Sequence, residues 1–175
     1  MVRKVVQFCF ALTLVALTAG VSQSQVFPRP IGPVNDFAHV LSPEDVKALT
    51  LTVTVYRNIT DIVLVVATVP SLDGLSVDEY TLKLFKHWGI GEKDKNNGIL
   101  LLLALAERQV CIEVGYGLEA DLGNDAASEI IQKYAIPNFK VRDFSAGLKA
   151  TVDRIIIRLG LTPFKVRLEE RRRKK

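Results

Sequence analysis

The chain has little of what metal and redox chemistry ordinarily use. Its histidines are His39 and His87 and its cysteines Cys9 and Cys111, too few and too far apart for the clusters that hold zinc or copper. Cys9 lies in an apolar N-terminal run that export would remove, which leaves Cys111 without a disulfide partner. Cys111 sits inside an apolar strand-like segment with no histidine near it in sequence and no arginine placed to complete a cysteine-phosphatase loop. It reads as a buried, inert thiol, and His87, beside Trp88 on a helical segment, as a packed or surface histidine. There is no glycine-rich phosphate loop ending in Lys-Ser or Lys-Thr, no His-Glu-x-x-His, no Cys-x-x-Cys and no Gly-x-Ser-x-Gly elbow. Those absences remove P-loop, zincin, thioredoxin-like and α/β-hydrolase chemistry as readings.

What is present begins at the ends. Arg3 and Lys4 precede an apolar run, Val5 to Val21, which gives way to Ser22-Gln23-Ser24-Gln25. A basic start, an apolar centre and a small-residue exit describe a signal peptide over residues 1–25, cleaved near Ser24, so a periplasmic or extracellular protein is expected. An uncleaved anchor is the alternative, because the run approaches bilayer-spanning length. Residues 26–33, with prolines at 28, 30 and 33, suit neither helix nor central strand and form an extended leader. Residues 162–175 form a basic tail. Setting aside Arg3, Lys4 and the terminal run Arg171 to Lys175 takes the formal net charge from +4 to −3. The high isoelectric point therefore reports the ends, and no nucleic-acid partner is implied. Cations from Arg167 onward suit an anionic membrane surface or an acidic protein face, at about 1 kcal/mol each near charged lipid. A disordered solubilising end is the other reading.

Between the ends, one domain is expected over residues 34–161, since the chain can bury one sizeable core but not two. Ser42-Pro43-Glu44-Asp45 opens a helix running to about Asn58: Ser42 caps, Pro43 suits the first helical position, and the acids face the positive end of the dipole. Asp61 to Val69 is a near-continuous β-branched run, as in a strand covered on both faces. A second capped helix spans Ser76 to about Trp88. Asn97-Gly98 then opens a central strand, Ile99 to Leu105, too short to cross a membrane. A turn over Ala106 to Gln109 returns it as Val110 to Val114. Further helices are predicted over Ala126 to Tyr134, stopped before Pro137, and over Phe144 to Leu159. Strand, helix, strand implies a parallel crossover and the hairpin an antiparallel partner. The predicted fold is a three-layer α/β/α sandwich with a small mixed β-sheet, expected to be a monomer.

The loops carry the candidate chemistry. Asp36, Glu92, Asp94, Asn96, Asn97, Glu119, Asp121, Asn124 and Asp125 all fall between predicted elements, and a hard cation such as calcium takes six to eight such oxygens. The spacing from Asp94 is not an EF-hand, because glycine arrives one position early and Leu105 occupies the place of the bidentate glutamate. Solvating loops and capping helices would also account for these residues, Asn124 or Asp125 for the helix that follows.

Val34-Asn35-Asp36-Phe37-Ala38, Trp88-Gly89-Ile90-Gly91, Asn97-Gly98 before an aliphatic strand, and Gly115-Tyr116-Gly117-Leu118-Glu119 after the next one together resemble the TPM domain over about Val34 to Leu161. That family includes a thylakoid-lumen protein linked to photosystem II repair and many secreted or membrane-anchored bacterial proteins. The resemblance implies an α/β/α fold and a divalent metal, chiefly calcium, held by positions that correspond to Asp36, Asn96, Glu119 and Asn124. At two of these, Asn96 and Asn124, the family usually has aspartate. Each departure replaces a charged ligand with a neutral one, for which Asp94, Asp121 or Asp125 would have to compensate, with Asn97 in the same ligand set. Plant members have been described as acid phosphatases, so a metal-dependent phosphatase is the alternative to a calcium-stabilised binding or accessory domain with a protein partner in the envelope. No clear nucleophile is present, and Tyr116 between its glycines reads as a residue that packs or caps the sheet edge.

Overall fold

The computed structural model describes residues 26–161. The expected signal peptide and basic tail lie outside the described residues.

The strand run that begins in the β-branched segment forms β2 (Val63–Val69) and the Asn97-Gly98 junction opens β3 (Gly98–Ala104). They pair in parallel from Val63 opposite Gly98 to Val69 opposite Ala104. The hairpin returns as β4 (Gln109–Val114), antiparallel to β3 with Ile99 opposite Val114. A strand that the sequence did not announce, β1 (Val34–Asp36), pairs in parallel with β2, Val34 opposite Val66 and Asp36 opposite Thr68. Spatial order equals chain order, β1-β2-β3-β4.

Alternation along the strands divides the core into two. Leu64, Val66, Ile99, Leu101 and Leu103 face α1 (Pro43–Thr60), α3 (Asn124–Ile130) and α5 (Phe144–Arg158). Val65, Ala67, Leu100, Leu102 and Ala104 face α2 (Val77–Trp88). Because side chains alternate with a period of two, a run apolar at every position can be buried only between two helical layers. The α/β/α sandwich is the result. No helix among the described residues is long and apolar enough to cross a membrane.

Helix ends follow local chemistry. Ser42 accepts from Asp45 N–H at 3.1 Å and Ser76 from Glu79 N–H at 3.2 Å, each satisfying an otherwise orphan donor. α1 runs past Asn58 to Thr60 and stops at Asp61, whose φ of 63° turns its N–H back onto the Arg57 carbonyl at 2.8 Å. Pro137 does not end the third helix. α3 passes into a π turn over Ile131–Ala135, and α4 (Ile136–Lys140) carries the proline in its first turn, where a missing N–H costs little. Neither Asn124 nor Asp125 caps α3; Gly123 holds the cap position without a side-chain bond. The leader is docked: Phe27 meets Tyr80 edge-on at 5.2 Å between centroids, and Trp88 Nε1 donates to the Pro28 carbonyl at 2.8 Å.

The helices on the β1 side are tied by Asp45, which accepts from Lys149 of α5 and Ser42 of its own cap. The Lys149 bond, then the Ser42 bond, hold its carboxyl down at about 2 against an ordinary value of 3.8. A depressed carboxylate contributes stability that is present above its unfolded pKa and lost as pH falls through the folded one. Asp45→Asn is therefore expected to cost about 1 kcal/mol at pH 7, the pair being partly solvated. In denaturant melts, that difference should shrink between pH 4 and pH 2.

Candidate functional site

The residues singled out in the sequence are divided between two ends of the sheet. β3 starts at Gly98, and Gly115 follows the end of the antiparallel β4, so the loop before β3 and the Gly-Tyr-Gly loop share one end. Asp36 is level with Thr68, itself level with Leu103, which is five positions beyond Gly98. At about 3.3 Å per residue, that is roughly 16 Å along the strands before any lateral offset. Asp36 therefore cannot share one cation with Asn96 and Glu119, and the expected eight-residue ligand set is not one site.

Asp36 has another task. Its carboxylate accepts from Val40 N–H at 3.1 Å, Leu41 N–H at 2.9 Å and the Thr68 hydroxyl at 2.5 Å. It closes the turn from β1 into α1 and staples that turn to β2. Charge-assisted bonds of this kind are the strong ones, and here they leave little carboxylate free for a ligand.

At the other end, backbone packs directly on backbone. Gly98 N–Cα lies under the Ile90 carbonyl so closely that a β-carbon there would stand 2.3 Å from that oxygen. A β-carbon at Gly115 would stand 2.3 Å from the Asn96 oxygen, and one at Gly117 2.1 Å from the Lys95 oxygen. Gly115 N–H donates to Gly98 at 2.8 Å and Gly117 N–H to Asn96 at 3.1 Å. Gly98, Gly115 and Gly117 are thus required for close approach. Asn97, 6% exposed, fixes the same layer: its Oδ1 accepts from Glu92 N–H at 2.8 Å and its Nδ2 donates to the Asp61 carbonyl at 2.7 Å. With both ends of its amide used, Asn97 is a brace rather than a free ligand. Asn96 takes a left-handed φ of 49°, and its carbonyl receives Gly117.

The remaining acids of this end are on the surface of two adjoining loops. Glu92 and Asp61 both pair with Lys95, at 3.0 Å and 3.3 Å. Asp94 and Asp121 are exposed in the loops, and Asp125 is exposed in the first turn of α3. The Asp121 carbonyl accepts from Arg158 Nε at 2.8 Å, tying the loop to α5. Among the described residues, no group of three or more histidine, cysteine, aspartate or glutamate side chains is arranged to hold a metal ion. Glu113, on β4 beside this end, was not among the expected candidates. Burial, then the neighbouring carboxylates of Asp78 and Glu119 against an opposing Lys86, raise its carboxyl above the usual range. An acid interrupting an apolar strand just ahead of the Gly-Tyr-Gly loop was the sequence signal for it.

Cys111 is a partly buried thiol on β4, and His87 an exposed imidazole on α2. Burial pushes the thiol up to about 11, and its hydrogen points to Asp78 at 3.7 Å. His87 lies against Phe27, 5.5 Å between ring centroids. Tyr116 has an unusual setting: it is 82% exposed although the glycines on both sides are pinned. The expectation that it packs or caps the sheet edge is not met, because its ring projects from the loop into solvent.

The family model described as TPM domain matches residues 34–158. The solution structure of the N-terminal domain of a protein from P. gingivalis is similar at 32% identity, with 73% of this chain and 80% of that chain covered and a TM-score of 0.66. The N-terminal domain of a Corynebacterium glutamicum protein shares the fold at 19% identity, covering 77% of this chain and 83% of that one with a TM-score of 0.57. No curated protein matches. The match spans residues 34–158, well over half of the sequence, and the chain belongs to the TPM domain family.

Proposed function

We propose that the chain is an exported, non-catalytic binding domain of the cell envelope that recognises a protein partner through the loop end of its sheet. The observation that carries this reading is Tyr116, 82% exposed on a loop whose flanking glycines are packed against Lys95 and Asn96. An aromatic side chain on a backbone that has little freedom left to lose binds with a small ordering cost, and tyrosine is enriched among residues that dominate interface energetics. The acids around it stand as a polar rim. Among the described residues, no nucleophile with an adjacent base accompanies them, which is the arrangement that a hydrolase would need.

Calcium enters this proposal in a narrower form than the sequence suggested. Because no three acids there are arranged to hold a metal, a cation at the loop end would be held by at most two carboxylates among Asp94, Glu119, Asp121 and Asp125, with Asn96 or Asn124 and solvent, and without Asp36 or Asn97, whose polar atoms are committed.

The test is capture from envelope extract by the mature protein. Tyr116→Ala is expected to reduce recovery of a specific partner at least tenfold and to leave the melting temperature unchanged, since the side chain buries almost nothing in the free domain. Undiminished capture would reject the loop end as the contact. Metal-dependent release of phosphate from an aryl phosphate, lost in Glu119→Gln without loss of fold, would instead establish the phosphatase reading.

A further inference from the structure

At the far end of the sheet from Tyr116 is a cavity of about 1050 Å³. Its apolar wall is made by Val110 of β4, Ile131 of the π turn, Ile136, Phe139 and Phe144. Phe139 and Phe144 are 5.8 Å apart between centroids. The polar lining holds two amides, Gln109 and Gln132, and three cations: Arg108 from the hairpin turn, Lys140 at the end of α4 and Arg142 from the turn between α4 and α5. No carboxylate is among the described residues that line it. None of the three cations belongs to an ion pair among the described residues.

Two of these cations are held at a conformational cost. Arg108 has φ 54° and Arg142 φ 61°. The left-handed region disfavours a side chain of this size, and glycine or asparagine would take the turns more easily. The Arg108 N–H closes onto Leu105 at 3.3 Å and the Arg142 N–H onto Phe139 at 3.0 Å, so both turns are fixed at the cavity mouth. α5 leads away from this mouth, from Phe144 at the cavity to Arg158 beside Asp121.

We propose that this cavity binds a single-chain amphiphile with an anionic head group, its acyl chain on the wall of Ile131, Ile136, Phe139 and Phe144 and its head among Arg108, Lys140 and Arg142. A volume near the upper end of ordinary ligand sites, roughly 300–1,000 Å³, accommodates such a chain. An apolar wall alone would accept any hydrophobe. Three cations with no ion-pair partner among the described residues select a negative head, and two guanidinium groups suit a carboxylate or phosphate better than a point charge does. This site is independent of the protein-partner reading, because it lies at the opposite end of the strands.

The experiment is calorimetric titration of the full chain with dodecyl phosphate below its micelle concentration, beside dodecyl maltoside and inorganic phosphate. The expected result is saturable binding of dodecyl phosphate, with both comparators at least tenfold weaker. Arg108→Gln combined with Arg142→Gln should weaken dodecyl phosphate at least tenfold while the fold, read by its melting temperature, is retained. Tyr116→Ala should bind as the wild type does. The proposal is overturned by an absence of binding, by equal affinity for the neutral detergent, by inorganic phosphate binding as tightly as the amphiphile, or by affinity unchanged in the double arginine variant.

Discussion

Gly117→Ala is expected to destabilise the domain by about 3 kcal/mol, roughly 10 °C in melting temperature. The added β-carbon would stand 2.1 Å from the Lys95 oxygen, and the contact is backbone against backbone, with no flexible side chain to swing aside. Relief requires the Gly-Tyr-Gly loop to lift from the loop before β3, and lifting breaks the 3.1 Å bond from Gly117 N–H to Asn96. Overpacking of this kind ordinarily costs 1–3 kcal/mol, and the lost hydrogen bond brings the total to the upper end. Gly32→Ala is the control, because nothing lies within 4 Å of its β-carbon position. It should change stability by less than about 1 kcal/mol. Thermal melts of the two variants decide the point. A Gly117→Ala protein that melts with the wild type would mean that the loops are not interlocked.

Asp36→Ala has the second large effect, a loss of about 3 kcal/mol. Removing the carboxylate leaves the Val40 and Leu41 N–H groups and the Thr68 hydroxyl without their acceptor in a half-buried turn. Each hydrogen bond to a charged group contributes about 1.5–3 kcal/mol, and the losses are not additive because the turn relaxes as a unit. Asp36→Asn retains one acceptor oxygen and should lose about half as much. The deficit is expected to be the same in calcium and in chelator. A deficit that disappears in chelator would return Asp36 to a metal-ligating role.

The order of the main elements was legible because it rests on long local patterns. The run Val63 to Val69, apolar except for Thr68, and the aliphatic stretch after Gly98 leave only a strand between two layers. Ser42 with Pro43, and Ser76, mark helix starts through the cap itself. β1 was not legible. Three residues carry no periodicity, and β1 is specified by pairing with Val66 to Thr68 and by Asn35, which closes the turn before it on Ile31 N–H at 2.7 Å and Gly32 N–H at 3.3 Å. The same omission misplaced Asp36. Without a first strand, an acid near the domain start has no assigned level in the sheet, and composition groups it with every other loop oxygen. Register against Thr68 moves it to the opposite end.

The motif glycines were legible as loop residues but not as contacts. A φ above zero can be inferred from a turn pattern, whereas the approach of Gly98 to Ile90, or of Gly117 to Lys95, joins loops that only the tertiary fold brings together. Pro137 misled for a related reason. A proline predicts a helix stop when the helix is regular, and the π turn at Ile131–Ala135 supplies the extra residue that lets the chain continue past it.

The division of the oxygen-rich residues between the two ends of the sheet is tested most directly by following backbone amide NMR signals during a calcium titration. The expected result is that shifts are confined to the loop end, at residues such as Gly117, Glu119 and Asp121, while the amides of Val40 and Leu41, held by Asp36, stay in place. Movement of Val40 and Leu41 with the same midpoint as Gly117 and Glu119 would contradict the account, because it would put Asp36 and the loop end in one ligand set.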